Sequence, residues 1–422
     1  MKTLIKNAKI VTPFRMIQDG YVLVEGGQIA AFGEGALPDA VAGRAADAEA
    51  GHAADAKAGR AAEAEAGRVV DAEGRYLAPG FIDLHTHGAG GADFLDGTLD
   101  AVCTACRTHM LHGTTSIMPT TLSCPDDELF RIFGVIEEAA GVTENMPEIV
   151  GVHLEGPYFS PSQNMAQDAR FIKLPEKSEY GHILEKGPMI RRWSIAPELP
   201  GALEMGRWLA EKGVIVSAGH TDAVYEDMEA AVENGYTMVT HLYNGMSRLT
   251  RKNALQYPGA AESSLCLDDL TVEVIADGRH LPPSLLRLVF KAKGADRICL
   301  VTDSMRAAGT DAKESILGSL ESGQRVEIED GVAYMPGRGS FGGSVATTDR
   351  LVRTMVKEAG VTLSDAIRMM SLVPARMLGI DGRKGSIGIG KDADIVLFGE
   401  DINVDMVMVK GQIWVDRIEC DH

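Results

Sequence analysis

Basic residues are outnumbered by acidic ones in this chain, and aromatic residues are few. The 422 residues include 41 Lys and Arg against 60 Asp and Glu, for a formal net charge of -19, and aromatic residues make up 5%. An acidic surface of this size argues against nucleic acid or an anionic membrane as the main partner. An anionic ligand would therefore need positive charge supplied locally, by a metal ion, by Arg or Lys, or by helix N-termini.

Cysteine is also sparse, and no apolar run approaches the length of a membrane span. The six cysteines are spread along the chain without a dense framework, which suits a reducing compartment. Cys103 and Cys106 form one CxxC pair, but no second pair completes a zinc site, so we expect two buried helix cysteines. The first six residues lack the long apolar segment of a signal peptide. These features predict a cytoplasmic protein.

Both ends of the chain are rich in strand-like segments. Short strand-like runs broken by Gly and Asp occur in residues 1–76 and again in 381–422. We predict that the two ends pair into one small β-sandwich domain. An Ala/Gly/charged repeat with a period of eight residues occupies about 40–68 and cannot build a core. We expect it to be a mobile loop extension, with a partner-binding helix as the alternative.

The middle of the chain, residues 77–380, carries eight strand-like apolar runs, most of them followed by a helix-like stretch. The runs occupy residues 81–85, 115–118, 149–154, 192–196, 214–218, 237–241, 270–275 and 298–302. Buried parallel strands are near-continuous apolar runs of this kind. Eight such β/α units predict an α/β fold in which a closed (β/α)8 TIM-like barrel is the catalytic domain.

Polar side chains stand at the ends of these runs, at the rim where barrel enzymes place their sites. His85 and His87 end the first run, and residues two apart on a strand share one face. Later runs end in His241 or are followed closely by the other candidates, which are Glu155, His220 and Asp303. Imidazole and carboxylate groups suit zinc, iron or a similar divalent ion. One such residue is weak support, but the whole set at separate strand ends predicts a metal site.

Longer motifs around these residues are more specific. Residues 79–88, PGFIDLHTHG, resemble the opening motif of the amidohydrolase superfamily. Within it, the chain resembles the N-acetylglucosamine-6-phosphate deacetylases through HLEGP at 153–157, GHT at 219–221, HLYNGM at 241–246, DGRH at 277–280 and TDSM at 302–305. The resemblance covers nearly the whole chain outside the Ala-rich insert.

The resemblance implies metal-dependent hydrolysis of the acetamide of an N-acetyl amino sugar 6-phosphate, a small-molecule substrate. Glu155, His220 and His241 would hold the main metal ion. His85 and His87 would hold a second ion, since the family varies between one and two metals. The metal would lower the pKa of a bound water, so that hydroxide attacks the acetamide near neutral pH. The products would be acetate and the free amino sugar phosphate.

Two residues are implied to be catalytic. Asp303 would accept the proton of the water and deliver it to the leaving amine, with a strand-end cap or metal ligand as the alternative role. His280 would contact the substrate and help to hold or polarise it beside the metal, with a solvent-facing loop residue as the alternative. His153, two residues before Glu155, is predicted to be a hydrogen-bonded residue one layer deeper in the barrel.

Phosphate binding is implied at the loop after the sixth run. In the family, backbone groups of an Asn-x-Met loop and an Arg from a neighbouring subunit meet the phosphate, so the resemblance predicts a homodimer. Asn244 and Gly245 match the loop, but residues 247–253, SRLTRKN, depart from the usual pattern. Arg251 is the candidate, followed by Arg248 and Lys252, and a solvated basic loop is the alternative.

Three alternatives concern the substrate and the activity. Gln167 stands where the family often has His, so we expect its contact with the sugar to differ, and N-acetylgalactosamine 6-phosphate remains an alternative substrate. A dihydroorotase-like or hydantoinase-like enzyme is disfavoured, because those commonly use a carboxylated Lys where this chain offers Glu155. A non-catalytic barrel is disfavoured because neither the metal set nor the base has decayed.

Overall fold

The computed structural model describes residues 2–38 and 67–418. Almost all of the Ala-rich insert lies outside the described residues, so the loop extension stays a prediction. The strands are β1 Lys2–Val11, β2 Met16–Glu25, β3 Gln28–Glu34, β4 Arg68–Asp71, β5 Tyr76–Pro79, β6 Phe81–Thr86, β7 Gly88–Ala89, β8 Ala92–Asp93, β9 Thr114–Thr121, β10 Glu148–Ile149, β11 Val152–Glu155, β12 Ile190–Ile195, β13 Ile215–Ala218, β14 Tyr236–Val239, β15 Thr250–Lys252, β16 Leu255–Tyr257, β17 Thr271–Val274, β18 Ile298–Leu300, β19 Glu314–Leu317, β20 Gln324–Glu329, β21 Val332–Tyr334, β22 Phe341–Ser344, β23 Ile395–Phe398, β24 Val404–Val409 and β25 Gln412–Asp416.

The α-helices connect or follow these strands. They are α1 Leu99–Met110, α2 Asp126–Ala140, α3 Lys177–Lys186, α4 Ala202–Glu211, α5 Tyr225–Glu233, α6 Ala260–Cys266, α7 Pro283–Lys293, α8 Thr348–Lys357, α9 Leu363–Met370 and α10 Leu372–Met377. Cys103 and Cys106 are buried on α1, as predicted. Among the helices of the described ranges, none is both long enough and apolar enough to cross a membrane.

The chain divides into two compact units. The first contains the described residues of Met1–Ile82, Leu111–Thr115 and Thr362–His422, and the second contains Asp83–Met110 and Ser116–Val361. In the first unit, strands from both chain ends form one sheet in the order β25-β24-β23-β5-β1-β2-β3, with β4 paired to β1. Leu4 and Ile5 on β1 belong to two different apolar clusters, because successive side chains point to opposite faces of a strand. The prediction that both ends build one small β domain is confirmed.

The second unit contains the barrel. Its strand order is β6-β9-β11-β12-β13-β14-β17-β18, and the pairs from β9 to β18 are parallel. The ring closes where Asp303 N donates to His85 O at 2.8 Å and His87 N donates to Ser304 O at 2.8 Å. The predicted TIM-like barrel is therefore confirmed. Parallel closure also brings the carboxyl ends of all eight strands to one rim. The polar residues predicted to form the metal site lie at these strand ends.

Three local features differ from the expected strands. The run at 149–154 was predicted as one strand but forms β10 and β11, because Gly151 between them adopts a φ of 147°. An antiparallel hairpin of β15 and β16 follows the sixth barrel strand. A four-stranded antiparallel sheet of β19 to β22 follows the eighth, and we call it the meander.

Candidate active site

The five predicted metal ligands and the predicted base Asp303 are placed by the ends of the barrel strands. His85 lies in β6, His87 directly follows it, and Glu155 is the last residue of β11. The other three follow β13, β14 and β18, and their backbones are left-handed, with φ of 48° at His220, 29° at His241 and 44° at Asp303. A non-glycine residue in this conformation costs about 1–3 kcal/mol and persists only where surrounding structure imposes it. The left-handed residue turns the chain sharply at the strand end.

These residues form two adjacent groups of potential metal ligands. Within each group, the ligand atoms lie within 4.8 Å of one another; the Glu155 group is Glu155, His220 and His241, and the Asp303 group is His85, His87 and Asp303. Glu155 Oε1 lies 3.3 Å from His220 Nε2 and 3.1 Å from His241 Nε2. Asp303 Oδ1 lies 3.4 Å from His85 Nε2 and 3.2 Å from His87 Nε2. All six residues are buried.

The Glu155 carboxylate lies between the two groups. Besides its contacts to His220 and His241, Oε1 is 3.5 Å from His85 Nε2, and Oε2 is 3.4 Å from His87 Nε2. One carboxylate therefore faces imidazoles of both groups. Its position allows it to act as a ligand in either group.

The hydrogen bonding of His220 tests whether this donor set fits a cation. Its Nδ1 is 2.8 Å from the carbonyl oxygen of Gln163, which only accepts, so Nδ1 carries the proton. In the neutral imidazole, the Nε2 lone pair then faces Glu155 Oε1 and, at 3.1 Å, His241 Nε2. Lone pairs and a carboxylate brought this close repel one another unless positive charge lies among them. A divalent ion held by imidazole and carboxylate supplies that charge, so the residues fit a metal.

Both carboxylates of the site favour the charged form. Burial on its own raises the pKa of Glu155, but positive charge among the imidazoles of His85, His220 and His241 outweighs it and holds the pKa well below its usual range. Burial likewise opposes ionisation of Asp303, but His85 and His87 outweigh it and lower the pKa of Asp303 to about 2. At neutral pH, the two acids therefore contribute two negative charges to the site.

His280 is held in a fixed orientation beside this site. Its Nδ1 donates to Asp277 Oδ2 at 2.7 Å, and its backbone N–H donates to Asp277 Oδ1 at 2.8 Å. The ring lies 4.4 Å from that of Phe341 on the meander, measured between centroids. The side chain is only 3% exposed, so the solvent-facing alternative is wrong. Asp277 occupies Nδ1 and leaves Nε2 as the nitrogen available to a ligand.

Gln167 contacts a metal-ligand candidate. Its Nε2 donates to Glu155 Oε2 at 2.8 Å, and its Oε1 accepts from Ser123 N at 2.8 Å. Both ends of the amide therefore already have protein partners. The predicted contact of Gln167 with the sugar stays a prediction.

A cavity opens over both groups. Gln167, Asn244, Gly245 and His280 line it together with members of the two groups, and its described lining includes no Lys or Arg. Arg251 lies instead on the exposed strand β15 of the hairpin. The structure thus brings the predicted catalytic and metal residues together with Asn244 and Gly245, and leaves Arg251 outside.

Comparison with known proteins identifies the family. The amidohydrolase family model matches residues 76–414. This chain belongs to the amidohydrolase family. The similar relatives include the N-acetylglucosamine-6-phosphate deacetylase of Lysinibacillus sphaericus, 33% identical over 81% of this chain and 86% of that protein. They also include the N-acetylgalactosamine-6-phosphate deacetylase of Escherichia coli O157:H7, 32% identical over 80% of this chain and 87% of that protein.

A solved structure is similar over almost the full length of this amidohydrolase. It is an N-acetyl-D-glucosamine-6-phosphate deacetylase mutant from Mycobacterium smegmatis in complex with N-acetyl-D-glucosamine-6-phosphate, with a TM-score of 0.84, 29% identity, and coverage of 98% of this chain and 99% of that one. Amidohydrolases are metal-dependent, and this member has two residue groups able to hold an ion.

The barrel of this amidohydrolase also contains buried polar residues beneath the site. His153 is fully buried, with Nε2 2.7 Å from Ser194 Oγ and Nδ1 3.2 Å from Thr120 Oγ1, which confirms its predicted structural role. Arg192 and Glu273 were not among the residues predicted from the sequence; they are fully buried and form an ion pair. Burial on its own raises the pKa of Glu273, but Arg192 and His85 outweigh it and lower the pKa to about 2. The sequence signal that could have identified them was a charged residue inside each of two apolar strand-like runs.

Proposed function

We propose that this amidohydrolase removes the acetyl group of N-acetylglucosamine 6-phosphate, releasing acetate and glucosamine 6-phosphate. The observation that carries the proposal is the convergence of four imidazoles and two carboxylates in two adjacent buried groups beneath one cavity. The identity of one third to named deacetylases over four fifths of the chain selects an acetamide as the bond to be cleaved. The substrate is thus a small-molecule amino sugar phosphate.

The metal is proposed to be zinc or iron, with one or two ions per subunit. Imidazole and carboxylate ligands suit both elements. The Glu155 group would hold the main ion, and His85 and His87 the second. When bound, such an ion acts as a Lewis acid that polarises a carbonyl oxygen and makes water more acidic.

The residues of the chain then have separate tasks. Asp303 is ionised, buried and at the cavity wall, so it accepts a proton from the attacking water and passes it to the leaving nitrogen. His280, fixed through Asp277, presents Nε2 to the acetamide or to a neighbouring hydroxyl. Asn244 and Gly245 line the cavity, and Gly245 has no side chain to cover its backbone, which suits a phosphate-binding loop.

The active form is proposed to be a homodimer in which Arg251 of one subunit meets the phosphate in the other. Two observations support this proposal. The described lining of the cavity lacks Lys and Arg, although the ligand carries phosphate. The hairpin that bears Arg251 exposes Leu255 at 61% and Tyr257 at 41%, which is apolar surface of the kind buried at subunit interfaces.

N-acetylgalactosamine 6-phosphate is the second candidate substrate, because one similar relative is named for that activity. Release of acetate should be measured from both epimers, with and without added zinc or iron. We expect faster turnover of the glucosamine epimer. A preference for the galactosamine epimer would select the second candidate, and no acetate from either would refute both.

The domain bounds stay a prediction: a β domain of residues 1–76 and 381–422, and a barrel of residues 77–380. The cytoplasmic location also stays a prediction.

A further inference from the structure

A buried ion pair lies inside the barrel beneath the metal groups. The interior of such barrels is ordinarily filled by branched apolar side chains, so a charged pair there calls for a reason. Arg192 on β12 and Glu273 on β17 are both fully buried, and Arg192 Nη1 donates to Glu273 Oε1. Buried ion pairs are weak contributors to stability, because desolvation offsets much of their attraction. A role in the active site therefore explains the buried ion pair better than a contribution to stability does.

The guanidinium of Arg192 is anchored on its other side. Its Nη2 donates to Thr240 Oγ1 at 2.9 Å and to Ser217 Oγ at 3.1 Å. Arg192 therefore holds Oε1 of Glu273 in place. The second oxygen, Oε2, is left to face the metal ligands.

Glu273 Oε2 contacts one residue of each metal group. It lies 3.2 Å from His85 Nδ1, and it accepts from the backbone N–H of His241 at 3.1 Å. An ionised carboxylate only accepts, so His85 Nδ1 carries the proton and the Nε2 lone pair is directed to the ion. Within the described residues, the Nδ1 atoms of His87 and His241 have no hydrogen-bond partner. In the Asp303 group, His85 is therefore the histidine whose tautomer is set by a carboxylate on Nδ1.

We propose that Glu273, fixed by Arg192, is a positioning residue that sets the tautomer of His85 and thereby gives the Asp303 group its affinity for an ion. The inference rests on the proposed metal-dependent function and makes the enzyme a two-ion protein. Carboxylates that hold the outer nitrogen of a ligating histidine typically raise metal affinity or activity 10–100-fold.

Glu273→Gln is the direct test, because it changes the direction of one hydrogen bond. The amide oxygen of the substituted side chain would have to face the Arg192 donor, so its NH2 would face His85. That NH2 would donate to Nδ1, move the imidazole proton to Nε2 and block ligation. We expect the affinity of the Asp303 group to fall about 10–100-fold. The Glu155 group should keep its ion, because its ligand His241 contacts Glu273 only through the backbone N–H and not through the imidazole. Metal content per subunit, measured by elemental analysis across a chelator series, should fall from two ions to one.

Glu273→Asp covers the case in which the Gln variant does not fold. It keeps the charge that balances Arg192 but withdraws the carboxylate from His85, so the same ion should be lost. Asp394→Asn is the matched control, because Asp394 is a buried acid paired with Lys384 in the first unit. The Asp394→Asn variant should keep both ions.

The outcomes separate this inference from the function on which it rests. Wild-type protein without bound metal would refute the proposed function. Wild-type protein with a single ion, or Glu273 variants that keep both ions or lose them in parallel, would refute the role of Glu273 alone.

Discussion

Replacing Asp303 with Asn tests the proposed base with almost no change in shape. The side chain is 8% exposed and lies against His85 and His87. Asn keeps a carbonyl oxygen toward these imidazoles but cannot accept a proton from water. The three ligands of the Glu155 group are untouched. We therefore expect the variant to fold, to retain the ion of the Glu155 group and to lose turnover.

The size of the loss follows from the surroundings of Asp303. A positioned base contributes about 10²–10⁴-fold, which is roughly 2.7–5.4 kcal/mol at about 1.36 kcal/mol per tenfold. Glu155, the other carboxylate of the two groups, already faces His220, His241 and Gln167, so it is a poor substitute. We expect kcat to fall by about 10⁴, the upper end of this range.

The assay is acetate release at saturating substrate, combined with elemental analysis of the same sample. Asp349→Asn is the matched control, because Asp349 is 6% exposed but lies on α8 and is not part of the cavity lining. We expect it to stay within about twofold of wild type. An Asp303→Asn variant that holds metal and turns over at a near-normal rate would refute the assignment of the base.

Three further predictions concern the loop, the phosphate and the metal. Gly245→Ala places a Cβ 3.0 Å from His220 Nδ1 at a φ of 56°, so we expect at least about a tenfold loss of metal affinity, measured by chelator competition. Gly74→Ala, at a φ of 77° with nothing within 4 Å, carries only the backbone strain and should leave affinity unchanged. Arg251→Ala should raise KM for the phosphorylated sugar far more than for the unphosphorylated one, and equal effects in steady-state assays would remove Arg251 from the phosphate site. Chelation should abolish acetate release and zinc or iron should restore it, whereas activity in verified metal-free protein would contradict the proposed chemistry.

The barrel was predictable from sequence because its parallel strands are buried on both faces. Burial leaves a run of apolar residues that is visible without knowledge of the partner strand. The meander had no such signal, since one of the six positions of β20 is buried and three carry charged residues. The break between β10 and β11 was missed because a glycine inside an apolar run does not reveal its φ.

For the site, the sequence predicted residue types at strand ends but not their partners. The positions of His85 and Glu155 could be predicted from the sequence because a closed parallel barrel brings every strand end to one rim. The contact of Gln167 with Glu155 depends on a loop whose path is not encoded by any periodic pattern. Arg192 and Glu273 were overlooked because a charge within a strand is ordinarily assumed to face solvent, whereas here two charges neutralise each other in the interior.

The meander also explains how the rim keeps Asp303 in its left-handed conformation. Asp303 N donates to His85 O, and Asp303 O accepts from Ser344 N, each at 2.8 Å, so both sides of the strained residue are tied down. Gly343, the preceding residue of β22, leaves room for this contact, because a Cβ there would lie 3.1 Å from Asp303 O. The same strand carries Phe341, which packs on His280. One strand of the meander therefore supports the proposed base and the proposed substrate contact together, so a change that shifts β22 should impair both at once.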